Sequence, residues 1–478
     1  MHNPSRWKTK YIEWIPLLQT VSCDFCTFTE QKTLSNWYNN TRQSSQLARM
    51  YMQKEYDLPY GKQQLAVHLD DSYSVDLFLP KELSPTGDEN DLVCNAIRNP
   101  LNFFKFSQKI GEKTRIAISI NDKTRPVPNN LLFPPLLKAL EEAGVRSENI
   151  LLIIATGTHQ PMPANEFGLL LNDELLRQVR IVSHDCDDDE NLQYKGTTTR
   201  GTPVFVNSLF DQADIRIVVG DIEPHHFAGF SGGVKSASIG LCGRKTINTN
   251  HRLLQDPASC VGNYETNPLR QDIEEIGTMI GVDAALNAIL NEKKEIIHAF
   301  FGQPREVMQA GIKIIRDNCL TPVEEPYDLV IASAGGYPKD INLYQAQKAL
   351  THASLFCRDG GTVILAAACA EGVGSQGYVD FMQNVSNLAQ VREQFAQKGF
   401  TVGPHKAFQF AAIAERIKFK IKCEIDQTMM TRLLIPLIDN LQSAIDAEIK
   451  SFSHPPRVAV IPFATATIPQ RKGAYHGS

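Results

Sequence analysis

The chain has 478 residues, which is long enough for two or three domains with a large buried core. Hydrophobic residues make up 42 % and charged residues 21 %, and the formal net charge of −5 argues against nucleic-acid binding and against attraction to an anionic membrane surface. No apolar run approaches the ~20 residues that a membrane-spanning helix needs, and no signal-peptide pattern follows the first residues. The ten scattered cysteines are typical of reduced thiols, so a cytoplasmic protein is expected.

Residues 1–51 differ from the rest of the chain in composition. All three tryptophans lie here, and the stretch "NWYNNTRQSSQ" is polar without a sustained period. Cys23 and Cys26 have a C-x-x-C spacing, but no second pair follows at the distance found in a zinc ribbon. An appended, poorly ordered extension is therefore favoured over a metal or redox site.

From about residue 58 the sequence alternates strand and helix patterns. Isoleucines alternate in "TRIAISIND" (114–122), which predicts a strand, and "PPLLKALEEAGV" (134–145) predicts a helix that begins at its prolines and ends near Gly144. Five further stretches read as buried strands: "NILLIIATGTH" (149–159), "DIRIVVGDIEP" (214–224), "YDLVIASAGGYP" (327–338), "GGTVILAAACAEG" (360–372) and "RVAVIPFATA" (457–466). This alternation predicts an α/β protein with two doubly wound, Rossmann-like domains and an active-site cleft between them.

A domain boundary is expected near residues 300–325, where Pro322 precedes two acidic residues. The expected parts are the extension over 1–51, an N-terminal α/β domain over 52–320, a C-terminal α/β domain over 321–455, and a terminal strand segment over 456–478 that returns to the N-terminal domain.

Polar residues follow four of the predicted strands. Ligands of open parallel sheets bind at the carboxyl ends of the strands, so these residues are candidates for a site. They are Asn121 to Arg125, Thr156 to His159, the group Asp221, Glu223, His225 and His226, and Gly335 to Pro338 with Tyr344, Gln345 and Lys348 after them. Each also has an ordinary structural explanation when it is taken singly, for example a surface ion pair between Asp122 and Arg125.

Other candidates have a structural explanation as well. His225 and His226 cannot face one direction on an extended backbone, so one of them is expected to be structural. The run "SHDCDDDE" (183–190) has metal-binding residue types, but a solvated acidic turn is the favoured interpretation. Lys235 and His251 are, in isolation, a loop lysine and a helix cap.

The stretch "GDIEPHHFAGFSGGVKSASIG" (220–240) joins two histidines, a glycine-rich loop and one lysine. A phosphate-binding P-loop is excluded, because the pattern that starts at Gly229 needs glycine where Val234 stands. A dehydrogenase with free NAD is disfavoured, since no G-x-G-x-x-G follows a strand with an acidic residue about twenty positions later.

Taken together and in order, six motifs resemble the nickel-pincer lactate racemase family: "NDKTRPVP", "GTHQP", "SHD", "EPHHFAGFSGGVK", "NTNH" and "YQAQKAL". The resemblance covers about residues 55–470. It implies an isomerase that converts one enantiomer of a 2-hydroxy acid into the other. It also implies the family's cofactor, nickel in a pyridinium-3-thioamide-5-thiocarboxylic acid mononucleotide that is covalently attached to the protein.

The resemblance assigns the cofactor residues to the glycine-rich loop and its surroundings. Lys235 corresponds to the lysine that forms the thioamide, and Gly232 and Gly233 lie beside it on the side where the nucleotide would approach. His251 corresponds to the protein ligand of nickel. The "SASIGL" stretch after the lysine departs from the family's "LPG"-like stretch, which bears on substrate identity rather than on reaction type.

The resemblance also assigns catalytic and substrate residues. His159 and His225 match the pair of catalytic bases, one for each enantiomer. The matching substrate ligands are Asp122 and Arg125 in the first domain, with Asp122 expected to orient Arg125, and Gln345 and Lys348 in the second.

Racemisation at C2 explains these residue types. Hydride removal is easier when a base takes the hydroxyl proton, and histidine suits that role because its ordinary pKa near 6.5 lets it accept and return a proton at neutral pH. A racemase or epimerase of another hydroxy acid, such as malate or a sugar acid, is the alternative, and a non-catalytic nickel or nucleotide carrier is less favoured because both bases are present. The expected partners are the substrate and, transiently, the cofactor-synthesis enzymes. The substrate, the oligomeric state and the histidine that serves each enantiomer stay open.

Overall fold

The computed structural model describes residues 53–81, 83–102, 110–125, 127–291, 293–318, 320–398 and 403–471. The expected extension over residues 1–51, with Cys23 and Cys26, lies outside these ranges. None of the helices in the described ranges combines the length and the apolar character that a membrane crossing requires.

The strands of the described residues are numbered in chain order: β1 Gln53–Tyr60, β2 Gln63–Asp70, β3 Ser74–Leu77, β4 Ile116–Asn121, β5 Ile150–Ala155, β6 Arg180–Ser183, β7 Leu192–Thr197, β8 Pro203–Asn207, β9 Ile215–Asp221, β10 Pro224–His225, β11 Gly229–Phe230, β12 Ala284–Leu290, β13 Ile296–Gly302, β14 Leu320–Val323, β15 Tyr327–Ser333, β16 Cys357–Ala366, β17 Lys418–Lys422, β18 Arg457–Ile461 and β19 Ile468–Arg471. The α-helices are α1 Glu89–Arg98, α2 Asn129–Glu142, α3 Asp173–Gln178, α4 Ser208–Asp211, α5 Lys235–Ser238, α6 Arg244–His251, α7 Pro268–Ile280, α8 Pro304–Asn318, α9 Leu343–Phe356, α10 Gln376–Met382, α11 Leu388–Lys398, α12 Pro404–Arg416, α13 Gln427–Arg432 and α14 Leu441–Ser451. Short 3-10 helices lie at Ser147–Asn149, Ala164–Leu169, Asp189–Asn191 and Arg252–Gln255.

The chain forms two compact units, each built from several segments. Among the described residues, the larger unit combines Leu79–Glu325, Ser375–Glu415 and 466–471. The smaller unit combines 53–78 with Pro326–Gly374 and Arg416–Thr465.

The larger unit is organised around a six-stranded sheet in the order β13-β12-β9-β4-β5-β6. Its strands run parallel, except that β12 and β13 pair antiparallel. The alternating isoleucines of β4 and the apolar residues of β5 are buried with Phe133, Leu136 and Leu140 of α2. Because β9, β4 and β5 are parallel neighbours, the residues that follow them emerge at the same edge of the sheet.

The smaller unit contains a five-stranded, fully parallel sheet in the order β17-β16-β15-β18-β3. The central strand β15 is buried along its whole length, as its continuous apolar sequence predicts. The antiparallel hairpin of β1 and β2 adds Leu58, Val67 and Leu69 to the same core. The prediction of an α/β protein with parallel sheets in two domains is therefore confirmed.

Two details differ from the sequence-based expectation. The helix expected to begin at Pro134 begins at Asn129, and both prolines lie inside it. Proline removes a backbone donor there, but Leu132 and Phe133 in the preceding turn are completely buried, and that burial favours the longer helix.

The units also cut across the expected domain limits of 52–320, 321–455 and 456–478. Residues 375–415 belong to the larger unit instead of the C-terminal domain. The last segment divides: β18 pairs with β15 and β3 in the smaller unit, and only β19 returns to the larger unit, where it pairs with β14. A strand pattern in the sequence shows that a strand forms, but not which sheet it joins.

Candidate active site

The first candidate pair lies just beyond β4 and β5 in the larger unit. Asp122 is 2 % exposed, and its Oδ2 lies 2.6 Å from Nδ1 of His159. Its Oδ1 accepts hydrogen bonds from the Thr124 amide at 3.1 Å and from the Thr124 hydroxyl at 2.7 Å. The hydrogen-bond partner of Asp122 is therefore His159 and not Arg125. The Arg125 guanidinium makes no ion pair with any residue that the structure describes.

Asp122 is ionised at neutral pH. Burial on its own would raise the pKa of Asp122, but the hydrogen bonds from His159 and Thr124 favour the carboxylate and bring this pKa below its usual value. A carboxylate only accepts hydrogen bonds, so His159 carries its proton on Nδ1 and leaves a lone pair on Nε2. The half-exposed His159 ring thus has the tautomer that a base at Nε2 requires.

The second candidate base, His225, has the opposite tautomer. It ends β10, which forms a tight antiparallel hairpin with β11. Within the hairpin the Ala228 amide donates to His225 Nδ1 at 3.2 Å, so the proton of the neutral ring lies on Nε2. The rings of His225 and His226 stack with their centroids 4.6 Å apart, because the chain turns directly after His225. The expectation that an extended backbone would separate these two rings is wrong.

Lys235 begins the short helix α5 and is 9 % exposed. Its amine makes no hydrogen bond or ion pair within the described ranges. Burial, reinforced by the charges of Arg125 and Arg270, holds the pKa of Lys235 well below its ordinary value. This shift favours the neutral form of the amine. Because the side chain is buried, the interpretation of Lys235 as a solvated loop lysine is wrong.

The glycine-rich loop before Lys235 packs against protein atoms. Gly232 and Gly233 have φ angles of +76° and +56°. A Cβ at Gly232 would lie 2.7 Å from Ile222, and one at Gly233 would lie 2.6 Å from Met308. Both Cβ positions face neighbouring side chains, so close packing of the loop explains these glycines without a nucleotide.

Two residues that the sequence analysis did not identify hold this loop. The fully buried Arg270 donates to the carbonyls of Phe230 at 3.0 Å and Gly232 at 3.1 Å while it pairs with Glu274. Asn287 accepts from the Gly233 amide at 2.7 Å. Neither residue belongs to a recognisable motif, and both lie far from the loop in sequence.

His251 ends α6 and is buried, with the edge of Phe227 beside its ring. Its Nδ1 lies 3.1 Å from Asn250 Oδ1. Burial lowers the pKa of His251 to about 3, and the charges that Lys235 and His405 carry when protonated act in the same direction. Burial is the main cause of the lowered pKa of both Lys235 and His251, and it favours the neutral form of each. The sequence analysis did not identify His405 as a neighbour of His251, because His405 lies within residues 321–455, which were expected to form the other domain.

The "SHD" motif has a structural role. His184 is buried, lies 3.1 Å through Nε2 from the Cys242 carbonyl, and lies 3.2 Å through Nδ1 from the Asn207 amide. Asp185, Cys186 and Asp187 place possible metal ligands within 4.8 Å of one another, but Arg244 binds both oxygens of Asp187. The acidic run is thus a turn that a nearby arginine partly neutralises.

The remaining candidates belong to the smaller unit. Gln345 and Lys348 are both partly buried on α9, three residues apart and therefore on one face of this helix. The Asn342 side chain accepts from the Gln345 amide at 3.0 Å and so caps the helix just before these two residues.

An open pocket of about 260 Å³ lies beside His159 in the larger unit. An ion pair of 2.6 Å between Lys123 and Glu166 lies at this pocket. The pocket is lined by Asp122, Lys123, Thr124, His159, Gln160, Pro161, Met162, Pro163 and Glu166.

Comparison with known proteins identifies the family. The chain matches the lactate racemase N-terminal domain over residues 60–262 and the lactate racemase C-terminal domain over residues 323–468. A lactate racemase of Thermoanaerobacterium thermosaccharolyticum is 32 % identical over 347 residues, which are 72 % of this chain and 81 % of that protein. A lactate racemase of Lactiplantibacillus plantarum is 30 % identical over 342 residues, 71 % of this chain and 80 % of that protein.

The fold agrees as well. The solved structure of the lactate racemase apoprotein from Thermoanaerobacterium thermosaccharolyticum superposes with a TM-score of 0.77 at 28 % sequence identity, and the match covers 87 % of this chain and 100 % of that one. The chain therefore belongs to the lactate racemase family of isomerases.

Proposed function

We propose that this protein interconverts the enantiomers of a short 2-hydroxy acid such as lactate, with the nickel-pincer nucleotide attached covalently at Lys235. Its similarity to proteins named lactate racemase supports the reaction and the substrate class. The observation that carries the cofactor part is the Lys235 amine, which is buried, makes no direct ion pair among the described residues and has a pKa well below its ordinary value.

The residues around Lys235 suit this cofactor chemically. Thioamide formation requires an amine with a free lone pair, which a neutral Lys235 provides and a protonated lysine does not. His251 would hold the metal, because a neutral imidazole with its lone pair on Nε2 is a good ligand for nickel. When bound, the cofactor supplies a hydride acceptor for C2 of the substrate.

His159 and His225 carry their protons on different ring nitrogens, so they play different parts in the proposed proton transfer. His159 takes the hydroxyl proton at Nε2, and the ionised Asp122 stabilises the imidazolium that results. In the neutral state described here, His225 is a hydrogen-bond donor at Nε2. A neutral imidazole that released this proton would become an imidazolate, so His225 gives up a proton only from the doubly protonated ring. When His225 serves as the base for the other enantiomer, the second proton requires the Ala228 contact at Nδ1 to open.

Arg125 completes the proposed site in the larger unit. Its guanidinium has no described ion-pair partner and binds the substrate carboxylate through two parallel hydrogen bonds in this proposal. Gln345 and Lys348 are the proposed substrate ligands from the smaller unit, on the basis of the family resemblance alone.

The cofactor attachment is tested by intact mass under denaturing conditions. Wild type, Lys235→Ala and Lys235→Arg are purified from cells that also make the cofactor-synthesis enzymes, with the exposed Lys245→Ala as the matched control. The wild type and the control are expected to carry the added mass and nickel, and both Lys235 variants are expected to lack the added mass. An unmodified wild type with full activity would contradict the attachment.

The substrate is tested with a panel of single enantiomers analysed by chiral chromatography. Lactate is expected to be racemised fastest. A clear preference for malate or for a sugar acid would replace lactate with that substrate, and no turnover of any member by nickel-loaded protein would favour a carrier.

A further inference from the structure

A buried polar network lies directly behind His251 in the larger unit. Asn250, which is completely buried, donates through Nδ2 to Asp272 Oδ2 at 2.8 Å and to the Leu269 carbonyl at 3.1 Å. Its Oδ1 lies 3.1 Å from His251 Nδ1. Asn250 thus connects a buried carboxylate on α7 with the last residue of α6.

The partners of Asn250 decide which way its amide points. Asp272 is also completely buried and accepts two further hydrogen bonds, from the hydroxyls of Thr198 at 2.6 Å and Thr202 at 2.8 Å. A carbonyl and a carboxylate only accept hydrogen bonds, so they require the amide nitrogen of Asn250 on their side. A flipped amide would place its oxygen against both acceptors, which is unfavourable in a buried site.

The orientation of Asn250 in turn decides the tautomer of His251. The amide oxygen accepts and does not donate, so His251 Nδ1 must carry the proton. The backbone carbonyl of Ile247 interacts with the same ring as a second hydrogen-bond acceptor. In the neutral ring the lone pair then lies on Nε2.

We propose that Asn250, held in place by Asp272, Thr198 and Thr202, is a positioning residue that fixes His251 in the Nδ1–H tautomer required of a metal ligand. Metal-binding histidines commonly donate their second ring N–H to such a partner, and this partner orients the ring. The inference rests on the proposed function only where it concerns nickel, because the tautomer is a property of the cofactor-free protein.

The tautomer is measured first, by ¹⁵N NMR of the imidazole rings in histidine-labelled, cofactor-free full-length protein. The resonances of His251 are assigned from their absence in His251→Gln. The expected result is a protonated Nδ1 and an unprotonated Nε2. An Nε2-protonated His251 in the wild type would overturn the inference, and this result does not depend on any variant folding stably.

Nickel retention is measured second, as the release of nickel to EDTA from protein loaded in cells with the cofactor pathway. Asn250→Ala is expected to weaken nickel retention about 10- to 100-fold, as is common when such a partner is lost. The control is Thr249→Ala on the same helix, whose hydroxyl bonds only to the Lys245 carbonyl in the described residues and which should retain nickel like the wild type.

A folded Asn250→Ala with the wild-type tautomer and wild-type nickel retention would overturn the inference, because the Ile247 carbonyl would then be sufficient. A wild type that binds no nickel would overturn the proposed function instead, while the tautomer result would still decide the inference.

Discussion

At the scale of single residues, the three candidate histidines differ in the partner of Nδ1. A carboxylate accepts from His159, an amide oxygen accepts from His251, and a backbone N–H donates to His225. These partners leave a lone pair on Nε2 of the first two rings and a proton on Nε2 of the third. Under the proposed function, these states suit His159 as a base, His251 as a metal ligand and the neutral His225 as a hydrogen-bond donor.

The role of Asp122 is tested by Asp122→Asn. The two donors of Thr124 attract the amide oxygen, so the amide nitrogen faces His159 and favours the wrong tautomer. The rate of racemisation is expected to fall on the order of 10²- to 10⁴-fold, the usual contribution of a general base. The fall is measured as kcat/KM for each enantiomer, and both directions must fall equally because the enantiomers have equal free energies.

The matched control for this change is Asp214→Asn. Asp214 is an exposed carboxylate that pairs with Arg115 and not with a candidate histidine. We expect its loss to leave kcat/KM unchanged. Equal activity of Asp122→Asn and wild type would contradict the role of Asp122.

The sequence predicted these histidines, but not their tautomers. Strand ends and motif order identify His159, His225 and His251. Asp122 and His159 are separated by 37 residues and Asn250 and Asp272 by 22, and only the folded chain brings each pair together. The expected pairing of Asp122 with Arg125 followed their closeness in sequence, whereas the turn after β4 directs the carboxylate to the neighbouring strand end.

At the scale of elements, the glycine-rich loop is held on both sides by packing. Gly233→Ala would place a methyl group 2.6 Å from Met308 on a backbone with φ of +56°. Overpacking and the left-handed backbone together are expected to lower the free energy of unfolding by about 2–4 kcal/mol and to reduce attachment at Lys235. Chemical denaturation and intact mass measure the two effects.

A second substitution separates the two causes. Met308→Ala in the Gly233→Ala background removes the clash and should restore part of the attachment, although it leaves a cavity of its own. Gly87→Ala is the control, because a Cβ at that position would meet nothing within 4 Å. If Gly233→Ala matched the wild type in stability and attachment, close packing would not be the reason for this glycine.

The end of β9 carries a pH-dependent contribution to stability. Burial, with the charge of Glu223, raises the pKa of Asp221 from 3.8 to about 7. A group whose pKa is higher in the folded state contributes stability that is complete below pH 3.8 and is lost as the pH rises toward 7. Asp221→Asn cannot ionise, so it should be more stable than the wild type above pH 7, by up to about 4 kcal/mol.

This comparison is made by urea denaturation of the two proteins between pH 4 and pH 9. The advantage of Asp221→Asn is expected to shrink as the pH falls and to be smallest near pH 4. An advantage that did not change with pH would show that Asp221 is charged throughout this range.

The sequence predicted most elements of the sheets because buried parallel strands are continuous apolar runs. The strands β4, β5, β9, β15 and β18 all lie within the expected stretches. The start of α2 was missed because local rules place proline in a first turn, whereas burial of the residues before Pro134 lengthens the helix.

At the scale of the whole molecule, neither unit is a continuous piece of chain. The chain passes from one unit to the other after Phe78, Glu325, Gly374, Glu415 and Thr465. Beyond the extension, the sequence predicted one change of domain near residue 320 and a return at residue 456. It missed the other changes, because a change of unit inside a regular strand–helix alternation leaves no mark in composition. The observed division has a consequence for the expected C-terminal domain, residues 321–455.

This fragment is expected not to fold when it is produced alone. It ends before β18, which pairs with the central strand β15 through Leu329↔Val458 and Ile331↔Val460. It also lacks β3, the next strand of that sheet, and it retains residues 375–415, which belong to the larger unit. The missing strand leaves apolar residues of β15 and a row of backbone groups without their partners, and such an open edge promotes aggregation.

Circular dichroism and urea denaturation of the purified fragment test this expectation, with the full chain measured alongside as the control. We expect the full chain to unfold cooperatively, whereas the fragment should be insoluble or should show no cooperative transition. A soluble fragment with a cooperative transition would mean that the remaining strands β15, β16 and β17 are stable without β18, and the pairing between β15 and β18 would then not be essential for this sheet.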